Sequence, residues 1–499
     1  MISRVDTAVT HGFNGVIVTA ECDITNGLPG FNIVGLPSKQ IAESRERVRA
    51  AITNSGYQFP AKRITINLVP ADLAKNGTHL DLAIAISILV ASKQLPEVAV
   101  KSTTFIGELG LNGELHPARG VLNFAECSVA ASHSQIIVPT TNADQAALVR
   151  GISVVGASTL DSVVKHLLRE QTISPTVTGV VNNNYTNLPS IDDVRGQAMA
   201  KRALEIAAAG HHNILFTGPP GSGKTMLART LPGILPPMTE SEILETTKIY
   251  SLAGESDDVI TTRPFRNPHH TASYVAMVGG GSNAGPGEIS LAHNGVLFLD
   301  EAPEFSKRTL ESLRQPLEDH VIKVSRAGTK ATYPANFMLL LTMNPCPCGY
   351  YGDSDHECTC SQQMIQQYQK KLSGPLLDRV DLFVNVGRVP RAELTKPAPK
   401  SERVADKWRQ DIVQARRRAN ERQHHPNANL TNKEIDQLNF ASDAKQLLDT
   451  ASDRMKLSAR SYFRIARVAA TIADLADRDK IQSSDIAEAL QYRHRVLTI

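Results

Sequence analysis

A glycine-rich loop between an apolar strand and a helix constrains this chain more than any other feature of its sequence. The apolar run Ile214–Phe216 leads into the loop, and helix-forming residues follow it. Glycines let the backbone wrap around phosphate oxygens, and the helix N-terminus adds a favourable dipole. The loop therefore predicts a nucleotide phosphate site in an α/β fold, with a chance glycine-rich turn as the alternative. It matches G-x-x-x-x-G-K-[ST] at Gly218, Pro219, Pro220, Gly221, Ser222, Gly223, Lys224 and Thr225.

An acidic pair at the end of a second apolar strand predicts the other half of such a site. Val296–Leu299 leads directly into Asp300 and Glu301. We expect Lys224 to contact the β- and γ-phosphates, and Thr225 and Asp300 to hold Mg²⁺. Glu301 would polarise the attacking water. ATP and Mg²⁺ are therefore the expected cofactors, and two surface carboxylates at the end of a core strand are the alternative.

The chain is too long for one ordinary core, since it has 499 residues. Residues 1–168 alternate β-rich and helical runs, and residues 169–190 are rich in Ser, Thr, Pro, Gly and Asn. Residues 191–390 repeat strand then helix, and residues 391–499 are almost purely helical. We therefore predict an N-terminal α+β domain, a linker, an α/β core and a helical C-terminal domain.

The composition excludes several classes of protein. It is 41% apolar and 21% charged, which is ordinary for a soluble globular protein. The longest apolar run, Leu82–Ala91, is too short to cross a bilayer, and the first residues lack the pattern of a signal peptide. We expect a cytoplasmic protein with no membrane partner. The net charge of only +3 means that nucleic-acid contacts must come from local basic patches.

The order and spacing of these motifs resemble AAA+ ATPases, in the branch that contains the magnesium-chelatase ATPase subunit and the MCM helicases. An apolar run ends at Asn344, the position of sensor 1, which would help to place the attacking water. Asn-Pro is also a common turn. Residues 373–382 resemble the segment that carries the arginine finger, so Arg379 would stabilise charge on the γ-phosphate of a neighbouring subunit. A surface ion pair with Asp378 or Asp381 is the alternative.

The helical C-terminal region extends this resemblance. Leu457–Arg464 resembles the sensor 2 helix of the AAA+ lid, in which Arg460 would contact the γ-phosphate. Two solvated arginines, Arg460 and Arg464, are the alternative. Val194–Gln197 resembles the segment near adenine. Because a finger that acts on a neighbour requires a ring, the resemblance implies a homo-oligomer, expected to be a hexamer that forms with ATP or DNA.

Longer segments resemble the ComM (YifB) family within this branch, and together they cover nearly the whole chain. They include Gly27–Pro37, Glu43–Arg49 and Phe265–Glu301. The resemblance implies a helicase that promotes branch migration during natural transformation and homologous recombination. Its partners would be single-stranded or branched DNA and recombination proteins. A chelatase-type ATPase that remodels a protein partner is the alternative, although the N-terminal domain argues against it.

The N-terminal region also resembles the proteolytic domain of Lon, but it lacks the catalytic pair of that domain. His79 stands where Lon carries its nucleophilic serine, and Leu122 stands where Lon carries its lysine. A Ser–Lys dyad needs both groups. We therefore expect a non-peptidase domain that serves binding or assembly, and the sequence argues against an ATP-dependent protease.

Four of the six cysteines cluster after Asn344. Four thiolates are a complete tetrahedral shell for structural zinc, although C-x-C spacing is rarer than C-x₂-C. Disulfides are not expected in a cytoplasmic chain. His356 is a further candidate ligand, and four reduced cysteines in a loop are the alternative. The candidate zinc ligands are Cys346, Cys348, Cys358 and Cys360.

Basic residues in loops of the α/β core are the candidate DNA contacts, because phosphate contacts need Lys or Arg. Arg263 and Arg266 precede a glycine-rich stretch. The segment that follows Val321 resembles the hairpin that MCM-type helicases project into their pore. Its candidate residues are Lys323, Arg326 and Lys330.

Overall fold

The computed structural model describes residues 2–177, 188–256, 258–281, 284–326, 329–353, 355–390, 393 and 404–493. Strands and helices alternate up to residue 385, and the chain is helical from residue 404, so the α/β fold class with a helical C-terminal region is confirmed. The strands are β1 (Ile2–His11), β2 (Asn14–Thr25), β3 (Gly30–Val34), β4 (Arg63–Val69), β5 (Thr103–Phe105), β6 (Glu108–Leu109), β7 (Leu115–His116), β8 (Gln135–Pro139), β9 (Ser153–Ala157), β10 (Ile214–Thr217), β11 (Phe265–Arg266), β12 (Gly279–Gly280), β13 (Gly285–Pro286), β14 (Val296–Leu299), β15 (Val321–Arg326), β16 (Thr329–Pro334), β17 (Met338–Met343) and β18 (Leu382–Asn385). The α-helices are Lys39–Asn54, Asp81–Ala91, Val121–Ala130, Ala143–Ala146, Leu160–Leu167, Ala198–Gly210, Lys224–Ile234, Glu240–Ala253, Tyr274–Val278, Glu288–Leu291, Lys307–Ser312, Pro316–Asp319, Gln362–Gln369, Gly374–Leu377, Val404–Gln423, Asn432–Asp436, Ser442–Met455, Ala459–Leu475 and Ser483–Ala489.

The N-terminal domain is built on a seven-stranded mixed sheet with the order β3-β4-β2-β1-β5-β8-β9. Strands β1 and β2 pair antiparallel over the full length of β1, whereas β5, β8 and β9 are parallel. The helix Asp81–Ala91 packs against β1 and β2, and it is buried from Asp81 to Val90. Its sequence is apolar on all sides, as a helix inside a core requires.

The α/β core contains a five-stranded parallel sheet with the order β11-β14-β17-β10-β18. Every residue of β14 and β17 is buried, which explains their nearly continuous apolar sequences. Parallel strands end at the same edge of a sheet. The loops that follow β10, β14 and β17 therefore meet there, and these loops carry the predicted phosphate loop, acidic pair and sensor 1.

The long helix Val404–Gln423 attaches the C-terminal helices to this core. Its Arg409 donates to Gly233 O (2.8 Å), near the end of the phosphate-loop helix. Its Arg416 donates to Ala208 O (2.8 Å), near the end of the preceding helix. Carbonyls at helix C-termini lack partners within the helix and attract cations. The two arginines therefore join the C-terminal region to both core helices.

The N-terminal unit extends beyond its predicted end at residue 168. The Ile173 amide donates to His166 Nδ1 (3.0 Å), and the Thr176 amide donates to Val154 O (2.8 Å). Ile173 also packs against the N-terminal core. The first part of the predicted linker therefore belongs to this unit, and residues 178–187 of that linker lie outside the described residues.

The N-terminal domain contacts the α/β core along the helix Glu240–Ala253. Lys248 of that helix pairs with Glu126 (Nζ to Oε2, 2.5 Å), and the Gly120 amide donates to Ser251 Oγ (3.0 Å). Within the described ranges, no helix is long and apolar enough to cross a membrane.

Candidate nucleotide-binding site

The phosphate loop connects β10 to the helix Lys224–Ile234, as the sequence predicts. Gly223 has a φ of +90°, which an L side chain rarely adopts. A Cβ atom at Gly218 would lie 2.1 Å from Val386 O, so the approach of β18 requires glycine there. Ser222 Oγ is buried and has no hydrogen-bond partner among the described residues. The loop thus combines a tight backbone with a buried polar atom that can accept or donate a further bond.

Lys224 contacts the predicted sensor 1 residue across the edge of the sheet. Its Nζ donates to Asn344 Oδ1 (3.2 Å) and to the carbonyls of Gly218 (2.7 Å) and Pro219 (2.9 Å). Burial lowers the pKa of Lys224, and the charges of Asp300 and Glu301 oppose this effect. The described residues therefore hold an ammonium group at the centre of the site.

Asp300 lies between two hydroxyl groups. Thr225 Oγ1 donates to Asp300 Oδ2 (3.1 Å), and Thr342 Oγ1 donates to Asp300 Oδ1 (2.5 Å). Hydroxyl and carboxylate oxygens are the ligands that Mg²⁺ prefers. The residues present therefore fit a magnesium site formed by Thr225 and Asp300.

Thr342 also positions Glu301, and sequence analysis missed this role. Thr342 Oγ1 accepts a hydrogen bond from the Glu301 amide (3.0 Å). Glu301 is exposed and has left-handed backbone angles (φ 52°, ψ 48°), which cost a non-glycine residue about 1 kcal/mol. The signal that was available is one polar residue inside the buried strand β17.

Gln197 connects the segment before the phosphate loop to the loop itself. Its Nε2 donates to Ser222 O (3.2 Å) and to Gly387 O (2.6 Å). It therefore bridges the phosphate loop and the residues that follow β18. The resemblance placed this segment near adenine, and the structure places Gln197 on the loop.

Arg379 and Arg460 are held inside the subunit by carboxylates. Arg379 pairs with Glu318 and donates to Pro375 O, rather than to the neighbouring aspartates that the alternative names. Arg460 pairs with Asp378 (3.1 Å) and is 64% exposed. Both arginines must leave these partners to reach a γ-phosphate, so their catalytic roles stay predictions.

Arg464 has a structural role. It is buried, donates to Val380 O (2.9 Å) and lies over the ring of Phe383 at 5.4 Å. The alternative of a solvated arginine therefore does not hold for this residue. Through Arg464 the sensor 2 helix is anchored to the segment that leads into β18.

The four clustered cysteines meet in space. The four Sγ atoms all lie within 4.8 Å of one another, and Cys346 is buried. His356 is not part of this group, and its ring stacks on Tyr350 at 4.9 Å. The geometry fits the predicted set of four thiolate ligands.

The structure contradicts the DNA prediction for Arg263. Its side chain is only 8% exposed, and it forms two hydrogen bonds to Glu242 (2.9 and 3.0 Å) and one to Asn294 O (2.7 Å). Arg266 forms a bidentate pair with Glu288 (2.7 and 2.8 Å) and is 23% exposed. The charge of each guanidinium is compensated inside the core, so neither is presented to a polyanion.

Lys323 and Lys330 are exposed. They lie on opposite strands of the β15–β16 hairpin, where Lys323 is paired with Thr332 and Lys330 with Ser325. Arg326 ends β15, and its side chain lies outside what the structure describes.

The Lon-like positions contain no Ser–Lys dyad. His79 is buried, its Nε2–H donates to Ala8 O (2.9 Å) and its ring stacks on Phe124 at 4.7 Å. Burial lowers the pKa of His79 to about 4. Leu122 is fully buried. Both positions are therefore part of the core.

Three family models match successive parts of the chain. The model for subunit ChlI of Mg-chelatase matches residues 20–142. The model for magnesium chelatase, subunit ChlI, matches residues 190–394, which contain the nucleotide site. The model for the C-terminal part of that subunit matches residues 402–493.

Several relatives align with this chain over nearly the full length of both proteins. The chain is 44% identical to competence protein ComM of Haemophilus influenzae over 503 residues, which cover 99% of this chain and 98% of ComM. It is 44% identical over 506 residues to the YifB protein of Salmonella typhimurium, covering 99% and 97% of the two chains. It is 42% identical over 502 residues to the Rv2897c protein of Mycobacterium tuberculosis, covering 99% and 98%.

Proposed function

This chain belongs to the ComM/YifB family of magnesium chelatase-like AAA+ ATPases, and we propose that it is a ring-forming motor that hydrolyses ATP to move DNA. The observation that carries the proposal is the convergence of Lys224, Asp300, Glu301 and Asn344 at one edge of the parallel sheet. The name of the Haemophilus relative supports a role in competence. Within that role, branch migration during natural transformation and homologous recombination is the activity we propose.

Each residue of the site has a part in phosphoryl transfer. Lys224 neutralises the β- and γ-phosphates, and Thr225 and Asp300 hold Mg²⁺. Mg²⁺ held by these two residues would supply positive charge to offset the negative charge that develops on the phosphates. Glu301 orients the attacking water and accepts its proton, and Asn344 positions that water. The Thr342 hydroxyl holds the Asp300 carboxylate and the backbone amide of Glu301.

The β15–β16 hairpin is the DNA-contacting element in this proposal. Ile322, Val324 and Tyr333 face the core, and alternation along each strand puts Lys323 and Lys330 on the opposite, exposed face. Two lysines on one face of a narrow ribbon can approach successive phosphates without reading the base sequence.

Assembly into a homo-hexamer would supply Arg379 to the site of a neighbouring subunit. Its pair with Glu318 inside the subunit supports an assembly-dependent exchange of partners, because a developing γ-phosphate charge is a stronger acceptor than an exposed carboxylate. We expect each subunit of the ring to use ATP, Mg²⁺ and one zinc ion as cofactors. Recombination proteins are the expected protein partners.

A chelatase-type ATPase that remodels a protein partner is the second candidate. The family model for magnesium chelatase subunit ChlI, which matches residues 190–394, favours it. Such an ATPase needs the same nucleotide site but no DNA-contacting hairpin. The two candidates therefore differ in whether DNA changes the hydrolysis rate.

The test is ATP hydrolysis with no DNA, single-stranded DNA and forked DNA, with Lys224→Ala as the blank. We expect strong stimulation by DNA that is absent in the blank. Lys323→Glu with Lys330→Glu should abolish stimulation and reduce the salt dependence of DNA binding by about two phosphate contacts. The matched control is Lys433→Glu with Lys445→Glu, which changes two exposed lysines of the C-terminal helices. Hydrolysis that is indifferent to every DNA would exclude the motor and favour a protein substrate.

A further inference from the structure

The spacing of three of the four cysteine sulfurs matches a tetrahedral metal site, and the sulfur of Cys360 lies within 4.8 Å of each of them. Cys346 Sγ lies 3.3 Å from Cys348 Sγ and 3.7 Å from Cys358 Sγ, and the sulfurs of Cys348 and Cys358 are 3.6 Å apart. Four thiolates at about 2.3 Å from zinc are about 3.8 Å from one another. A disulfide requires about 2.05 Å between its sulfurs. The cluster therefore has the dimensions of a zinc site.

Backbone amides point at two of these sulfurs. The Tyr351 amide donates to Cys346 Sγ (3.3 Å), and the Cys348 amide donates to Cys360 Sγ (3.4 Å). Hydrogen bonds of this kind orient metal ligands and stabilise the negative charge of thiolates. The loop backbone is therefore folded around the sulfurs.

The cysteine loop also packs on the phosphate loop. Gly349, which has a φ of +88°, lies so close to Pro220 that a Cβ atom at Gly349 would be 2.6 Å from Pro220 Cδ. On its other side, Asp353 of the loop pairs with Arg388 (3.2 Å), and Asp353 is only 3% exposed. Arg388 follows Gly387, whose carbonyl accepts from Gln197. The loop thus contacts the phosphate loop and the segment after β18 at the same time.

We propose that Cys346, Cys348, Cys358 and Cys360 bind one Zn²⁺, and that this zinc ion holds the cysteine loop against the phosphate loop and thereby sets the affinity for ATP. Zinc closes the loop between its two C-x-C pairs, so Gly349 is held against Pro220. Without zinc, no metal bond joins the two C-x-C pairs, and the loop loses the cross-link that fixes Gly349. This inference rests on the proposed ATP binding and does not depend on movement of DNA.

The test begins with the zinc content of the purified full-length chain and with its replacement by Co²⁺, whose absorption spectrum identifies four thiolate ligands. We expect one zinc per chain, lost in Cys358→Ser with Cys360→Ser and kept in the control Cys127→Ser. A fluorescent ATP analogue then measures affinity. We expect zinc removal to weaken binding at least tenfold, and zinc addition to restore it.

We call the zinc-dependent contact of the cysteine loop with the phosphate loop the brace. A second variant separates the loss of this contact from general unfolding. Gly349→Ala should keep zinc but weaken ATP binding, because its methyl group pushes the loop from Pro220. A chain that takes up neither zinc nor cobalt would overturn the site. Zinc-free protein that binds ATP as tightly as the loaded protein would overturn the brace alone. Zinc-loaded protein that binds no ATP would overturn both the brace and the proposed ATPase.

Discussion

The ring of Phe13 in the N-terminal domain stands edge-on to the ring of Tyr333 in the hairpin of the ATPase core, with centroids 6.1 Å apart and an angle of 77°. The ammonium of Lys248 lies 4.2 Å from the centroid of the same Phe13 ring. The β1–β2 turn therefore contacts both the helix Glu240–Ala253 and the hairpin that exposes Lys323.

Replacement of Phe13 by alanine should uncouple DNA from hydrolysis. The hairpin would lose an aromatic contact worth about 1 kcal/mol, while the nucleotide site is unchanged. We expect near-normal hydrolysis without DNA and several-fold weaker stimulation by DNA. Phe59→Ala is the control, because the Phe59 ring packs on Phe31 within the N-terminal domain. Equal stimulation in Phe13→Ala and the wild type would show that this contact does not support the hairpin.

Glu301→Gln should separate ATP binding from hydrolysis. The amide keeps the shape of the side chain but cannot accept a proton from water, so the turnover number should fall about 10²- to 10⁴-fold. Affinity for ATP should stay near that of the wild type. Single-turnover kinetics and a binding titration measure the two quantities, with Glu304→Gln as the control acid nearby. A comparable loss in both variants would contradict a specific role for Glu301.

As the pH rises, ATP binding should begin to weaken at a lower pH than it would if Lys224 were exposed. Burial lowers the pKa of Lys224, so its charge is lost below the ordinary value near 10.4. Affinity should be constant near neutral pH and fall as the pH rises through the lowered pKa of the free protein. Lys224→Arg keeps its charge in this range, so its affinity should not fall. Titrations of ATP between neutral and alkaline pH decide the point, and parallel curves would contradict the prediction.

The N-terminal domain should lose stability in mild acid because of His79. Its native pKa of about 4 is below the ordinary value of 6.5, so the unfolded state binds the proton first. Stability is therefore fully present above pH 6.5 and decreases toward pH 4, by about 3 kcal/mol in total.

Denaturant unfolding of the wild type and His79→Gln across this pH range measures the effect. We expect a shallower pH dependence in His79→Gln, because glutamine keeps a donor for Ala8 O but does not titrate. His11→Gln, at an exposed position, is the control. If the free energy of unfolding of His79→Gln depended on pH as strongly as that of the wild type, other groups would be the cause of the acid sensitivity.

Mixing two inactive variants tests whether Arg379 acts on a neighbour. Arg379→Ala subunits keep Lys224, and Lys224→Ala subunits keep Arg379. In an equal mixture, half of the sites keep Lys224 and half of those have a neighbour with Arg379. We therefore expect recovery of about a quarter of wild-type hydrolysis. Mixtures as inactive as each variant alone would place the role of Arg379 inside its own subunit.

The phosphate loop, the acidic pair and sensor 1 could be predicted from the sequence because each is a short local pattern. An apolar run fixes a buried strand, and the polar residue at its end then lies at the edge of the sheet.

Contacts between distant segments could not be predicted in this way. Arg263 is of the residue type that contacts DNA phosphates. Its guanidinium is instead bonded to Glu242 and Asn294, which come from different elements, and it is buried there. In the sequence, Thr342 is only a polar residue in an apolar strand. Its role becomes visible in the tertiary structure, where its hydroxyl contacts Asp300.

The sequence alone determined the class of chemistry, since phosphate and metal binding need particular residue types at fixed local spacing. It also determined the alternation of strand and helix in the α/β core, because buried strands need apolar runs. Only the tertiary structure decided which charges are available and which elements touch. Arg263 is compensated, Lys323 is exposed, and Gly349 lies on Pro220. These outcomes depend on packing between residues far apart in the chain, where burial and partner distance set the energy of each charge.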